Sequence, residues 1–343
     1  MAKYGEHTLS EIMSQPAIWV DALAAFDSQS QALIDYWKEQ QFEEIILTGC
    51  GSTYYLADVG ARLLQEQTGI PAQAYPASEL MIFPETTIPS TNAFLITVSR
   101  SGETRETIEA ARLFRERNGG KTAVIGCTTE STLVKETDFS IIVDSAQEKS
   151  IAQTRSFASM TILLEALAGT LAGKDTKTIL SPLPKIVERL LDEYYGIAQK
   201  LGENTNIKQI AFLGSGVLYG LACEAMLKMT EMSLVPSTAF HILEFMHGPK
   251  YVVNDDQTLI VALISEVAAE EEISALRRIK ERGGQILVIA EDDMDTDIDE
   301  WCHLIRLQSG LPLWARAILY LPVLQLLAYY QGVSRGKNPD RPL

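Results

Sequence analysis

The chain repeats itself once. EEIILTGCGS (43–52) aligns with KQIAFLGSGV (208–217), setting Gly49 on Gly214 and Gly51 on Gly216. RLFRERNGGKTAVIG (112–126) aligns with RRIKERGGQILVIA (277–290), and both pairs are offset by about 165 residues. A period that long indicates a duplicated domain rather than a solenoid. Within the first copy, a β-rich run breaks at glycines and leads into YYLADVGARLLQE (54–66) at helical spacing. AFLITVS (93–99), KTAVIGC (121–127) and DFSIIVD (138–144) read as further strands, and ETIEAARLFRERNGG (106–120) as a helix ended by glycines. Strands alternating with helices make βαβ units, hence an α/β fold with a parallel sheet between helices.

The expected organisation is a helical segment over 1–40, a first domain over 41–175, a linker helix over 176–205 and a second domain over 206–343. In the first segment Thr8 and Glu11 fit a capping box, and Pro16 should kink or divide the helix. LSPLP (180–184) is read as the turn before the linker helix. The stretch LPLWARAILYLPVLQLLAYY (311–330) approaches the length of a membrane span. Because it carries Arg316, Gln325, Pro312 and Pro322, a buried packing helix is expected instead.

Charge narrows the functions. With 29 Lys+Arg against 45 Asp+Glu, the net charge of −16 repels nucleic acid and anionic membranes. An anionic substrate would therefore need a locally positive site. Cys50, Cys127, Cys223 and Cys302 have neither zinc nor disulfide spacing. The start lacks a basic n-region and an apolar h-region, so a cytoplasmic location is expected. The carboxylates of EDDMDTDIDE (291–300) read as a solvated face.

Three constellations could carry chemistry. Ser99-Arg100-Ser101-Gly102-Glu103-Thr104 joins a strand end to a helix start. Free N–H groups, three hydroxyls and a guanidinium there suit a phosphate. The matching turn of the second copy, Ser265 to Glu272, has lost the glycine and gained four carboxylates, so the first copy is expected to hold the phosphate. Ser52 and Thr53 lie on the neighbouring glycine turn, and Arg155 is a loop cation that could sit near an anion. The second constellation is Glu224, Lys228 and Glu231, at i, i+4 and i+7 on an otherwise apolar helix. A charged stripe on a buried helix is a candidate for proton transfer. The third is His247, in EFMHGP (244–249), set in a loop and apart from His7, His241 and His303. Its chemistry suits proton shuttling near neutral pH. No metal-ligand spacing is present.

Together these pieces resemble the sugar isomerase (SIS) domain family. EIMSQP (11–16), GCGST (49–53), SRSGET (99–104), QTRSF (153–157), EAMLKMTE (224–231), EFMHGP (244–249) and NPDRP (338–342) occur in the family's order. The resemblance covers nearly the whole chain. It is nearest to the isomerase portion of glucosamine-6-phosphate synthase and to stand-alone amino-sugar-phosphate deaminases and isomerases. It implies two tandem SIS domains, each a five-stranded parallel sheet flanked by helices (a flavodoxin-like three-layer sandwich). It also implies a homodimer with the active site shared across the interface, no cofactor, and a sugar 6-phosphate substrate. By position, Thr53, Ser99, Arg100, Ser101 and Thr104 would hold the phosphate, with Gly51, Ser52 and Arg155 as weaker contacts. Glu231 matches the base that moves a proton between C1 and C2, and His247 the histidine credited with ring opening. Glu224 and Lys228 match polar residues of the same pocket.

Three departures bear on activity. There is no glutaminase domain or cysteine nucleophile at the start, so synthesis from glutamine is not expected. Arg100 stands where the synthase has glutamine. The family's Schiff-base lysine, carried on a tail beyond NPDRP, is not among the 343 residues. The expectation is a phosphosugar isomerase or deaminase acting on a hexosamine or hexose 6-phosphate. The alternatives are a fructosamine-6-phosphate deglycase, a tagatose- or ketose-phosphate isomerase, and a non-catalytic sugar-phosphate sensor.

Overall fold

The computed structural model describes residues 4–253, 255–292 and 298–341. The chain divides into two compact units. One holds Ser14–Glu148 and Arg155–Pro184; the other holds residues through Met13, Lys149–Thr154 and residues from Lys185 onward.

The first unit contains β1 (Glu44–Gly49), β2 (Ala72–Pro76), β3 (Ala93–Ser99), β4 (Thr122–Gly126) and β5 (Phe139–Ile142) in one sheet of order β2-β1-β3-β4-β5. The second contains β6 (Gln209–Gly214), β7 (Ser237–Phe240), β8 (Thr258–Leu263), β9 (Gln285–Ala290) and β10 (His303–Arg306), ordered β10-β9-β8-β6-β7. Every strand pairing is parallel. Read from β7, the second order repeats the first. This is the flavodoxin-like 2-1-3-4-5 arrangement, with its switch point between the first and third strands. The central strands β3 and β8 are buried at every position. Helices covering both sheet faces account for those unbroken apolar runs.

The duplication extends to backbone angles. Gly51 has φ +59° and ψ −125°, and Gly216 has φ +57° and ψ −134°. An L side chain is strained in that region. Two residues earlier, a Cβ on Gly49 would lie 2.5 Å from the Thr53 carbonyl oxygen, and one on Gly214 2.5 Å from that of Leu218. Each turn thus needs one glycine for conformation and one for close approach.

The chain ends differ from the capping-box reading. Pro16 does divide the helices, lying in the first turn of Gln15–Gln29. The preceding helix, however, spans Glu6–Met13, so Thr8 lies inside it. The Thr8 N–H and hydroxyl each donate to Asp340 at 2.8 Å, and the His7 N–H donates to it at 3.3 Å. A carboxylate from the far end of the chain thus caps this helix. Glu11 instead accepts the Lys149 N–H at 2.6 Å and the Ser150 hydroxyl. The motifs EIMSQP and NPDRP are therefore structural ties, apart from the Pro342 position, which lies outside the described residues. Similarly, LSPLP does not stay a turn: the next helix begins at Leu183 and runs to Gly202. The apolar stretch breaks at Pro322 into shorter helices. Over Leu313–Ser334, 89% of the apolar window is buried inside the protein, as a packing helix requires.

Candidate active site

The turn Ser99–Thr104 leaves the carboxyl end of β3, and the turn Cys50–Thr53 leaves the end of adjacent β1. Both flank the switch point, where open α/β sheets bind ligands. Ser99 is buried, and its Oγ accepts the Gly102 N–H at 3.0 Å. Gly102 adopts φ +66°, and a Cβ there would fall 2.2 Å from Ser131 Oγ. Ser101 is exposed, and its Oγ accepts the Glu103 N–H at 3.2 Å. Thr104 caps the helix Arg105–Asn118 without a side-chain hydrogen bond to it. Glu103 turns away and braces the turn, accepting the Thr132 N–H at 2.7 Å and its hydroxyl at 2.8 Å. Those bonds hold its carboxyl below the ordinary range.

Other predicted phosphate contacts have partners of their own. The Thr53 hydroxyl accepts the Cys50 N–H at 2.9 Å and donates to the Cys50 carbonyl at 3.0 Å. Arg155 donates to the Gln147 carbonyl at 3.1 Å and to Ser14 Oγ at 3.0 Å, so it fastens its own loop. Arg100 pairs at 3.4 Å with Glu148, whose side chain is fully buried. Sequence reading missed Glu148. Nothing local announces a partner 48 residues away.

In the other unit, the helix Val217–Ser233 carries the charged stripe. Glu224 is 0% exposed and Lys228 1%. Lys228 Nζ lies 3.4 Å from Glu224 and 2.5 Å from Glu231. The Glu231 side chain is 32% exposed, so it alone of the three faces solvent to any extent. The arrangement fixes an ammonium beside an accessible carboxylate and balances a buried one. His247 lies exposed after the short helix Ile242–Phe245, in the turn leading to Gly248 at φ +129°. Among the described residues, no group of three or more His, Cys, Asp or Glu is arranged to hold a metal ion.

The two copies differ where they match most closely in position. Cys50 Sγ lies 3.6 Å from the Thr107 hydroxyl in the first copy. The counterparts, 165 residues on, are Ser215 and Glu272. Glu272 is 1% exposed. Burial raises its carboxyl from 4.5 to about 7, although the Ser215 hydroxyl partly offsets this. The folded state therefore keeps a proton that the unfolded chain releases. Stability should fall as pH rises from 4.5 to about 7, by up to ~3 kcal/mol, and then level off. Glu272→Gln, which mimics the protonated form, is expected to be more stable than wild type at pH 8 and equal to it at pH 4. Denaturant titrations at both pH values check this.

Comparison with known proteins follows the duplicated architecture. The SIS domain family matches the chain twice, over residues 40–169 and 205–334. An isomerizing glutamine–fructose-6-phosphate aminotransferase from Pseudomonas aeruginosa is 27% identical over 99% of this chain, which spans 58% of that relative's length. Among solved structures, glucosamine-6-phosphate deaminase from Thermotoga maritima superposes with a TM-score of 0.80 at 27% identity, covering 98% of this chain and 97% of that one. Tagatose-6-phosphate ketose/aldose isomerase from Escherichia coli gives a TM-score of 0.88 at 24% identity, covering 99% and 95%.

Proposed function

The chain belongs to the SIS domain family, and from that premise we propose that it is a phosphosugar isomerase or deaminase acting on a hexosamine or hexose 6-phosphate. The observation that carries the reading is the stripe on helix Val217–Ser233, where an ammonium 1% exposed stands 2.5 Å from the accessible carboxylate of Glu231. Glu231 takes the proton from C2 of the open-chain sugar, and the electron pair moves onto the C1 carbonyl oxygen. Returning the proton to C1, while the C2 hydroxyl proton passes to O1, gives the ketose. With an amino group on C2, the same shift gives an imine, which water hydrolyses to ketose and ammonia. Lys228 opposes the negative charge of the enediolate. His247 assists ring opening. Arg100, Ser101, Thr104 and the N–H groups of their turn take the phosphate, with Ser99 shaping the turn. Thr53, Ser52, Gly51 and Arg155 are secondary.

The Thermotoga and Escherichia structures are named for sugar 6-phosphates, which supports the substrate class. We further propose a cytoplasmic homodimer in which His247 serves the neighbouring subunit's site. Binding tests the phosphate assignment. Glucosamine 6-phosphate should raise the melting temperature, unphosphorylated glucosamine should not, and Ser101→Asp should abolish the difference. Equal stabilisation by both sugars would overturn it.

A further inference from the structure

The second unit has a strand-end turn equivalent to Ser99–Thr104, and it holds an anion of its own. Glu266 occupies the place of Ser101, 165 residues on, just beyond the end of β8. Its carboxylate pairs with the guanidinium of Arg316, a side chain only 2% exposed. Although burial works against it, that contact holds the Glu266 carboxyl below its ordinary value. A buried guanidinium requires an anionic partner, because an uncompensated buried charge is costly. Two carboxylates meet the need, and they are held differently.

Glu291 is fixed. It leaves the end of β9 and accepts the Ser309 N–H at 2.8 Å, the Gly310 N–H at 2.6 Å and the Ser309 hydroxyl at 2.8 Å. It lies 3.4 Å from Arg316 Nε and is 20% exposed. Glu266 is the displaceable one, with a side chain 59% exposed that meets Arg316 from the solvent side. Tyr320, fully buried, donates to the Ile264 carbonyl at 2.8 Å and stiffens the strand end below.

We propose that this strand-end turn is a second anion site, with Arg316 as receptor and Glu266 as a built-in occupant standing where a phosphate or phosphate monoester would sit. Wild-type chain therefore takes no phosphate here, and removing the Glu266 carboxylate opens the site. Wild type is expected to bind one phosphate, at the Ser99–Thr104 turn; that count rests on the proposed function, whereas the opening of the second site does not. Glu270 and Glu271, exposed in the first turn of the helix that follows, keep the opened site weak.

The test is titration with inorganic phosphate, followed by calorimetry, on wild type, Glu266→Ala and Glu266→Ala/Arg316→Gln. Circular dichroism verifies the fold. Glu266→Ala should bind one phosphate more than wild type, and the double variant should lose it. Should the double variant not fold, Glu266→Asp, which restores a carboxylate on a shorter arm, should bind the extra phosphate at least tenfold more weakly than Glu266→Ala. If wild type binds none and Glu266→Ala binds one, the first-turn reading fails and this one stands. Equal counts in wild type and Glu266→Ala would overturn the proposal, as would a second phosphate already bound in wild type.

Discussion

Glu231→Gln is expected to lower turnover of the phosphosugar by about 10²–10⁴-fold, the range a positioned general base contributes. The substitution keeps the shape of the side chain and removes its basicity. Lys228 retains Glu224 at 3.4 Å as a counter-charge, so the helix should remain folded. Binding of the sugar phosphate should change little, because the phosphate is assigned to other residues. The loss should therefore appear in kcat rather than in KM. Steady-state kinetics checks this. A variant with unchanged kcat would remove Glu231 from the chemistry and assign the proton transfer to another group.

Lys228→Met should have the largest effect on stability. The ammonium is 1% exposed and sits between two carboxylates, one of them 0% exposed. Removing it leaves Glu224 charged in an apolar helix or forces it to take up a proton. Breaking a buried pair from one side costs about 3–5 kcal/mol. Glu224→Gln introduced alongside should recover part of that loss, because the stranded charge is gone. Thermal unfolding of the single and double variants measures the coupling. Equal stability of Lys228→Met and wild type would mean that the stripe is not an electrostatic unit.

The sequence was informative wherever partners are local or periodic. Strand runs and the i, i+4, i+7 stripe are short-range patterns, the duplication is visible as internal similarity, and each led to the observed element. Both glycine turns could be found because only glycine tolerates φ near +58° together with such close backbone approach. Long-range partners were not legible. Thr8 and Glu11 have the spacing of a capping box, yet Thr8 bonds Asp340 from the other end of the chain and Glu11 bonds the 149–150 segment. Arg155 reads as a free cation until the fold brings the Gln147 carbonyl to it. The acidic turn of the second copy was read as repelling phosphate. Its pairing with Arg316, 50 residues on, emerged only from the fold. The acidic stretch 291–300 lies partly outside the described residues; within them, Asp299 pairs with Arg306 and Glu291 is tied to Ser309 rather than solvated.

The central claim is proton transfer at C1–C2 of a sugar 6-phosphate. The most direct measurement incubates the protein in D₂O with glucosamine 6-phosphate, galactosamine 6-phosphate, fructose 6-phosphate and tagatose 6-phosphate. Nuclear magnetic resonance follows conversion and deuterium at C1 and C2, and a coupled assay follows ammonia. The account predicts conversion or deuterium uptake with at least one of these sugars, abolished in Glu231→Gln; ammonia from an amino sugar would identify a deaminase. No conversion and no exchange with any of them, while they still raise the melting temperature, would contradict it.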